Sequence, residues 1–154
     1  LWTTGGSMAF RKSIWTILGG FDVLFSPAYE EDRDISYRAL KRGYQIAFLP
    51  TAEVFHDHKT TNITALGKHR IEVASMKNAF LLNWKNLTDS RYLVLHVLWL
   101  PYHLAVGSFR SKGVILQGFI EAMYHLPSCL RFRRSERAFI QKSDHEVLKE
   151  YGAE

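Results

Sequence analysis

The stretch GGFDVLFSPAYEEDRDISYRALKRGY, residues 19–44, decides how this chain is read. It sets four carboxylates, Glu30, Glu31, Asp32 and Asp34, within five residues, and follows them with Arg38, Lys41 and Arg42. Ile35, Ala39 and Leu40 recur at helical spacing, so a helix is expected from about Glu31 to Arg42, with Gly43 as its stop. Acids at a helix start and cations at its end complement the macrodipole. Asp34 stands one turn before Arg38 and can pair with it. These effects account for one or two of the acids. Glu30 and Asp34 also stand one turn apart with like charge, which costs stability unless a proton, a metal or a substrate uses the site. The cluster is therefore a candidate for chemistry.

On the N-terminal side, Ser7–Phe10 reads as a short strand. RKSIWTIL, residues 11–18, reads as a short helix with Ile14, Ile17 and Leu18 on one side, stopped by Gly19 and Gly20. On the C-terminal side, YQIAFLP (44–50) alternates as a strand, with Ile46 and Phe48 on one face and Pro50 as its end. AEVFH (52–56) reads as a second strand, running into His56, Asp57 and His58. Beyond it the pattern is helical. Thr61 or Asn62 is the expected cap of a long helix reaching about Trp84, with Val73, Met76, Phe80 and Trp84 at helical spacing. Residues 1–60 and 61–154 are thus expected to form two regions.

The chain has 154 residues, 47% of them hydrophobic and 23% charged, enough for one domain with a real core. Cys129 is the only cysteine, which excludes an internal disulfide and a cysteine-based zinc site and fits a reducing, cytosolic setting. The net charge of +5 is uneven: residues 91–142 carry 8 basic and 2 acidic side chains, the last twelve 1 basic and 4 acidic. The positive excess coincides with the most apolar stretches, a pairing that points to an anionic surface as partner.

The order of the pieces resembles the C-terminal half of the nucleotide-binding domain of family 2 glycosyltransferases, inverting enzymes of GT-A fold. The residues that carry the resemblance are Gly19-Gly20-Phe21-Asp22, then Glu31-Asp32-x-Asp34, Arg38, Gly43-Tyr44, Pro50 and His56, over about residues 5–58. KNAFLLNWKN (77–86) and the LP…RFRR segment (126–134) are similar, more loosely, to the helical tails of rhamnosyltransferase-like members. The resemblance implies an α/β fold, the acceptor-side half of a GT-A domain (1–60), followed by an all-helical extension (61–154). It implies transfer of a sugar from a nucleotide-diphospho-sugar to a hydroxyl of a saccharide or lipid-linked acceptor, in cell-surface polysaccharide synthesis.

Inverting transfer is one displacement at the anomeric carbon, needing a base for the acceptor hydroxyl and charge neutralisation at the leaving diphosphate. The resemblance gives the base role to Asp32; Glu31 positions the acceptor or holds the local hydrogen bonds, and Asp34, which caps the helix or pairs with Arg38, is counted with Arg38 on the substrate side. Gly5, Gly6 and Ser7 fall where the backbone approaches donor and acceptor, and Trp2 is placed in the same cleft. His56 is the expected protein ligand of a divalent metal (Mn or Mg), with His58 as second candidate. Asp32-Arg33-Asp34 is itself an Asp-x-Asp string, but no buried apolar strand precedes it, so it is read as the base motif. The metal Asp-x-Asp motif and the nucleotide-base strands are not found, so the chain alone is expected to be an inactive part of the enzyme.

Arg131, Arg133, Arg134 and Arg137 follow the amphipathic run containing Val114, Leu116, Phe119, Ile120 and Met123. This pattern suggests peripheral docking at the inner face of the cell membrane, apolar side down and arginines on head groups. Tyr92–Val106 lies in the interface or packs in a homo-oligomer. His96, Pro101 and His103 argue against a simple transmembrane helix there. The arginines flank an apolar run rather than interleave with aromatics, which argues against nucleic acid. The competing reading is a non-catalytic basic module for membrane binding or oligomerisation.

Overall fold

The computed structural model describes residues 2–55 and 66–150. Among these residues there is no strand, and the fold is helical. The α/β expectation is therefore corrected: Ser7–Phe10, Tyr44–Pro50 and Ala52–Phe55 form neither helix nor strand. An alternating pattern specifies a face, whereas a strand exists only with a ladder partner to take its N–H and C=O groups. Among the described residues these segments pair with no such partner. Their apolar side chains stay in solvent: Phe48 is 80% and Phe55 100% exposed. The boundary expected near residue 60, the cap at Thr61 or Asn62, and His56 and His58 lie outside the described residues.

Helix α1 spans Lys12–Leu18 and ends at Gly19, whose φ of +77° is the left-handed conformation glycine adopts without a Cβ penalty. A 3-10 turn, Val23–Phe25, is capped by Asp22, whose carboxylate accepts from the Leu24 N–H at 2.9 Å. Helix α2 spans Glu31–Lys41, and its buried side includes Ile35, Ala39 and Leu40. Leu18, Ile35 and Ala39 form one core cluster, covered by Phe10, Ile14, Trp15 and Tyr44.

The second half is built on two long helices, α3 (Lys68–Asn86) and α5 (Val114–Glu136). His69 meets Gln117 near both N-termini, at 3.1 Å, while Arg133 donates to the carbonyls of Trp84 and Leu87 near both C-termini, at 3.0 and 2.5 Å. The two helices therefore run parallel. Val114, Gly118, Ala122 and Cys129 face α3, small side chains that let the backbones approach. A Cβ built on Gly118 would lie 2.6 Å from the Met76 Cβ and 2.9 Å from the Lys77 backbone nitrogen. Phe25, Leu81, Ala122 and Cys129 make the second core cluster.

Between them the chain returns through α4 (Ser90–Arg110), antiparallel to both by connectivity. Pro101 interrupts its hydrogen bonding, and the helix passes through a π-helical turn, His103–Gly107, before a last α-turn. The closing helix α6 (Asp144–Glu150) is tied in by Asp144. This carboxylate accepts from the Tyr37 hydroxyl (2.8 Å), the Lys41 ammonium (2.6 Å) and the N–H groups of Thr88 (2.6 Å) and Asp89 (2.7 Å). One buried acid thus joins α6 to α2 and to the start of α4.

Candidate active site

The acidic cluster divides into two parts with different duties. Asp34 is fully buried and belongs to the core. It accepts from Arg38 Nε (2.8 Å), Lys85 Nζ (2.8 and 2.9 Å) and Asn86 Nδ2 (2.9 Å). Lys85 also pairs with Asp22 at 2.7 Å and stands over the Phe132 ring at 3.9 Å. Arg38 uses its remaining N–H groups on the carbonyls of Leu18 and Gly20, the latter at 2.8 Å. Asp34 and Arg38, expected on the substrate side, are thus buried and occupied in pinning α1, α2 and α3 together. Asp22 sits below the usual carboxylate range. Burial alone would raise it, but the Lys85 hydrogen bond, the Leu24 N–H and the Lys85 and Arg38 charges outweigh that effect.

The like-charge conflict between Glu30 and Asp34 is resolved by separation. Asp34 turns into this network, while Glu30 pairs with Arg33 at 3.2 Å on the surface. Glu31 and Asp32 remain at the first turn of α2, facing outward in part. Asp32 Oδ2 accepts the Gly5 N–H at 3.0 Å, and Oδ1 accepts the Arg33 N–H at 2.7 Å. The segment from Trp2 to Ser7 lies along this turn. Thr3 is held by Ser36, N–H to Oγ at 3.1 Å and hydroxyl to hydroxyl at 2.8 Å. Gly5, Gly6 and Ser7 form an exposed turn, closed by the Ser7 N–H on the Thr4 carbonyl at 2.9 Å. The Arg33 guanidinium stands 4.6 Å from the centre of the Trp2 ring. Trp2, Gly5, Glu31 and Asp32, expected together, are brought together, with Gly6 and Ser7 in the adjoining turn.

Glu31 Oε2 is buried without a hydrogen-bond partner. Burial, with the Asp32 charge adding to it, pushes the Glu31 carboxyl above its ordinary value. The pair thus offers an Asp32 side chain that accepts two backbone N–H groups beside a Glu31 carboxyl that holds its proton more tightly than usual. Beyond Arg33, which follows this pair, opens a cleft of 280 Å³ lined by Trp2, Arg33, Tyr37, Leu82, Asn83 and Leu148, among others, and not by the two carboxyls themselves.

The loop before α2 carries strain. Tyr29 and Glu30 are consecutive non-glycine residues at φ +74° and +73°. Such backbone persists only where the surroundings impose it, and it clusters at functional sites. Here the surroundings are on α3. Asn78 Nδ2 shares its protons among the carbonyls of Phe25 (2.6 Å), Ala28 (2.8 Å) and Tyr29 (2.9 Å), and Lys77 donates to Ser26 at 2.7 Å. Lys77, Asn78, Lys85 and Asn86 all lie on the buried side of α3. Sequence reasoning did not assign these positioning residues. The available signal is that Asn78 and Lys85 stand seven apart, so two polar groups share a face with Ile71, Ala74 and Leu81.

Among the described residues no three His, Cys, Asp or Glu side chains converge as a metal-binding group. The expected ligands His56 and His58 lie outside those residues.

Compared with known proteins, the chain matches no family model, no curated protein and no solved structure.

Proposed function

We propose that this chain supplies the base and the acceptor end of an inverting sugar transfer, from a nucleotide-diphospho-sugar to a hydroxyl of a saccharide or lipid-linked acceptor. The observation that carries the reading is the division of labour in the acidic cluster. Asp34 is consumed by the core, whereas Asp32 stays partly exposed at the helix start, oriented by the Gly5 amide, and its neighbour Arg33 lines a cleft with Trp2. The ordered motif around it, which resembles family 2 glycosyltransferases, supports the same assignment.

In the proposed step the acceptor O–H gives its proton to the Asp32 carboxylate as its oxygen bonds to the anomeric carbon. The bond from that carbon to the diphosphate oxygen breaks, and the leaving nucleoside diphosphate takes the electron pair. Glu31, protonated more readily than an ordinary glutamate, orients the acceptor hydroxyl by donating to or sharing a proton with it. The Trp2 face, backed by Arg33, gives a sugar ring an apolar platform at the cleft edge. Asn78 and Lys77 act through the loop they hold, as positioning residues.

The test is transfer from a panel of nucleotide-sugars by the intact protein, followed by product analysis for inversion at the anomeric carbon. Transfer with inversion supports the reading. Transfer with retention, or binding of acceptor saccharides that Trp2→Ala leaves unchanged, contradicts it.

A further inference from the structure

Helix α4 is the most exposed apolar element of the molecule. Its 21 residues include an 18-residue stretch with a mean hydropathy of 1.3, and no residue from Ser90 to Tyr102 is buried. Its inner side touches the α3–α5 pair through His96, which accepts from Trp84 Nε1 at 2.9 Å and stands edge-on to Phe80. Its outer side presents Val94, Leu95, Leu98, Trp99 and Tyr102, with Leu98 69% and Trp99 57% exposed. No Asp, Glu, Lys or Arg interrupts the stretch between Arg91 and Arg110, and of its two histidines His96 is turned to Trp84. A continuous apolar face of this kind on a water-exposed helix marks an interaction surface.

The charges around the face identify the partner. A hollow lined by Thr88, Arg133, Arg134, Arg137 and Ile140 lies where α4 begins, and Arg110 and Lys112 stand at its far end. Arg110, Lys112, Arg134 and Arg137 have no acidic partner among the described residues. An apolar strip framed by unpaired cations is complementary to acyl chains beneath anionic head groups. A second copy of the chain would bring the same positive charges together.

We propose that the outer face of α4 lies in the surface of an anionic bilayer, Leu98 and Trp99 in the acyl boundary and Arg134 and Arg137 on lipid phosphates. The face expected on α5 is divided: Val114 is buried and Phe119 packs against Phe80 and Trp84, while Leu116, Ile120 and Met123 stay exposed. The helix lies in the plane rather than across the bilayer, because its inner side is fastened to α3, which begins with the exposed charges Lys68, Arg70 and Glu72. The proposal is independent of the sugar-transfer reading.

The experiment is co-sedimentation of the full chain with vesicles of phosphatidylcholine alone and of phosphatidylcholine mixed with phosphatidylglycerol. Binding is expected on the anionic vesicles only. It weakens about 30-fold in R134Q/R137Q, at about fivefold per charge, and at least about tenfold in Leu98→Glu. Both variants alter exposed side chains, so circular dichroism and the melting temperature stay unchanged. Trp99 fluorescence, isolated by difference from Trp99→Phe, is quenched by lipids brominated near the head group. Equal binding to neutral vesicles, undiminished binding of Leu98→Glu, retention after an alkaline carbonate wash, or self-association without vesicle binding would each overturn the proposal.

Discussion

Replacing Lys85 by Met removes the cation at the centre of the buried cluster while keeping most of its volume. The Lys85 ammonium makes two contacts to Asp34 and one to Asp22, all between 2.7 and 2.9 Å, and its side chain is 0% exposed. Without it Asp34 keeps Arg38 and Asn86 but loses both Lys85 contacts in a fully buried site, and Asp22 loses its lysine partner. Breaking a buried pair from one side costs about 3–5 kcal/mol, because a charge is left uncompensated in a low-dielectric site. For a domain of this size that is a fall in Tm of roughly 6–20 °C. The assay is urea and thermal denaturation of Lys85→Met, Asp34→Asn and the double variant. The double variant is expected to lose far less than the sum of the singles, because each residue is costly mainly when left without the other. A loss below about 1 kcal/mol for Lys85→Met, or additive losses, would refute the claim that this cluster locks α3 onto α2.

Asp144→Asn is expected to cost about 3 kcal/mol by leaving Lys41 buried without its counter-charge, read as a lower Cm. Its pH dependence has a defined sign. Burial works against the Asp144 charge, but the Asp89 N–H, Lys41, Tyr37 and the Thr88 N–H together hold its carboxyl below the ordinary 3.8. Its contribution is therefore complete above that value and is lost as pH falls through the lower folded value. Acid titration of stability should show this loss in the native protein and not in the variant. Gly118→Ala forces a Cβ to within 2.9 Å of the Lys77 backbone nitrogen, which cannot step aside. Overpacking of about 3 kcal/mol outweighs the roughly 1 kcal/mol of helix propensity gained, so Tm falls rather than rises. Asn78→Ala frees three loop carbonyls and is expected to lower kcat for transfer more than its stability loss of about 1–3 kcal/mol would suggest. Kinetics at a temperature where the variant is fully folded would check this.

The helices and part of the site were legible in the sequence, and the physics says why. The 3.6-residue stripe of Ile35, Ala39 and Leu40 and the stops at Gly19 and Gly43 are local signals, and α1 and α2 form where those signals lie. The residues singled out from motif order lie near one another in part: Gly5 donates to Asp32, and Trp2 stacks on the neighbouring Arg33. Strands were not legible, because Tyr44–Pro50 carries the alternation of a strand but finds no ladder partner among the described residues. The fate of Asp34 was also hidden. Its i+4 relation to Arg38 was visible, but Lys85 and Asn86 come from α3, more than fifty positions away in sequence. Polar residues in α3 look like a solvated face until packing turns them inward. The same long-range packing takes Val114 and Phe119 out of the apolar face expected on α5 and leaves Leu116, Ile120 and Met123 on it.

The central claim is that Asp32, and not the buried Asp34, takes the acceptor proton. It is tested most directly by sugar-transfer kinetics of Asp32→Asn in the intact protein, with its melting curve recorded alongside. Asp32 is partly exposed, and Asn keeps one accepting oxygen and gives up only one of the two backbone N–H bonds, to Gly5 or to Arg33, so folding should be kept. The account expects a fall in kcat of about 10²–10⁴-fold, the usual worth of a general base, with little change in Tm. Near-normal turnover with a lowered Tm would contradict it and leave Asp32 as a residue that only orders the start of α2.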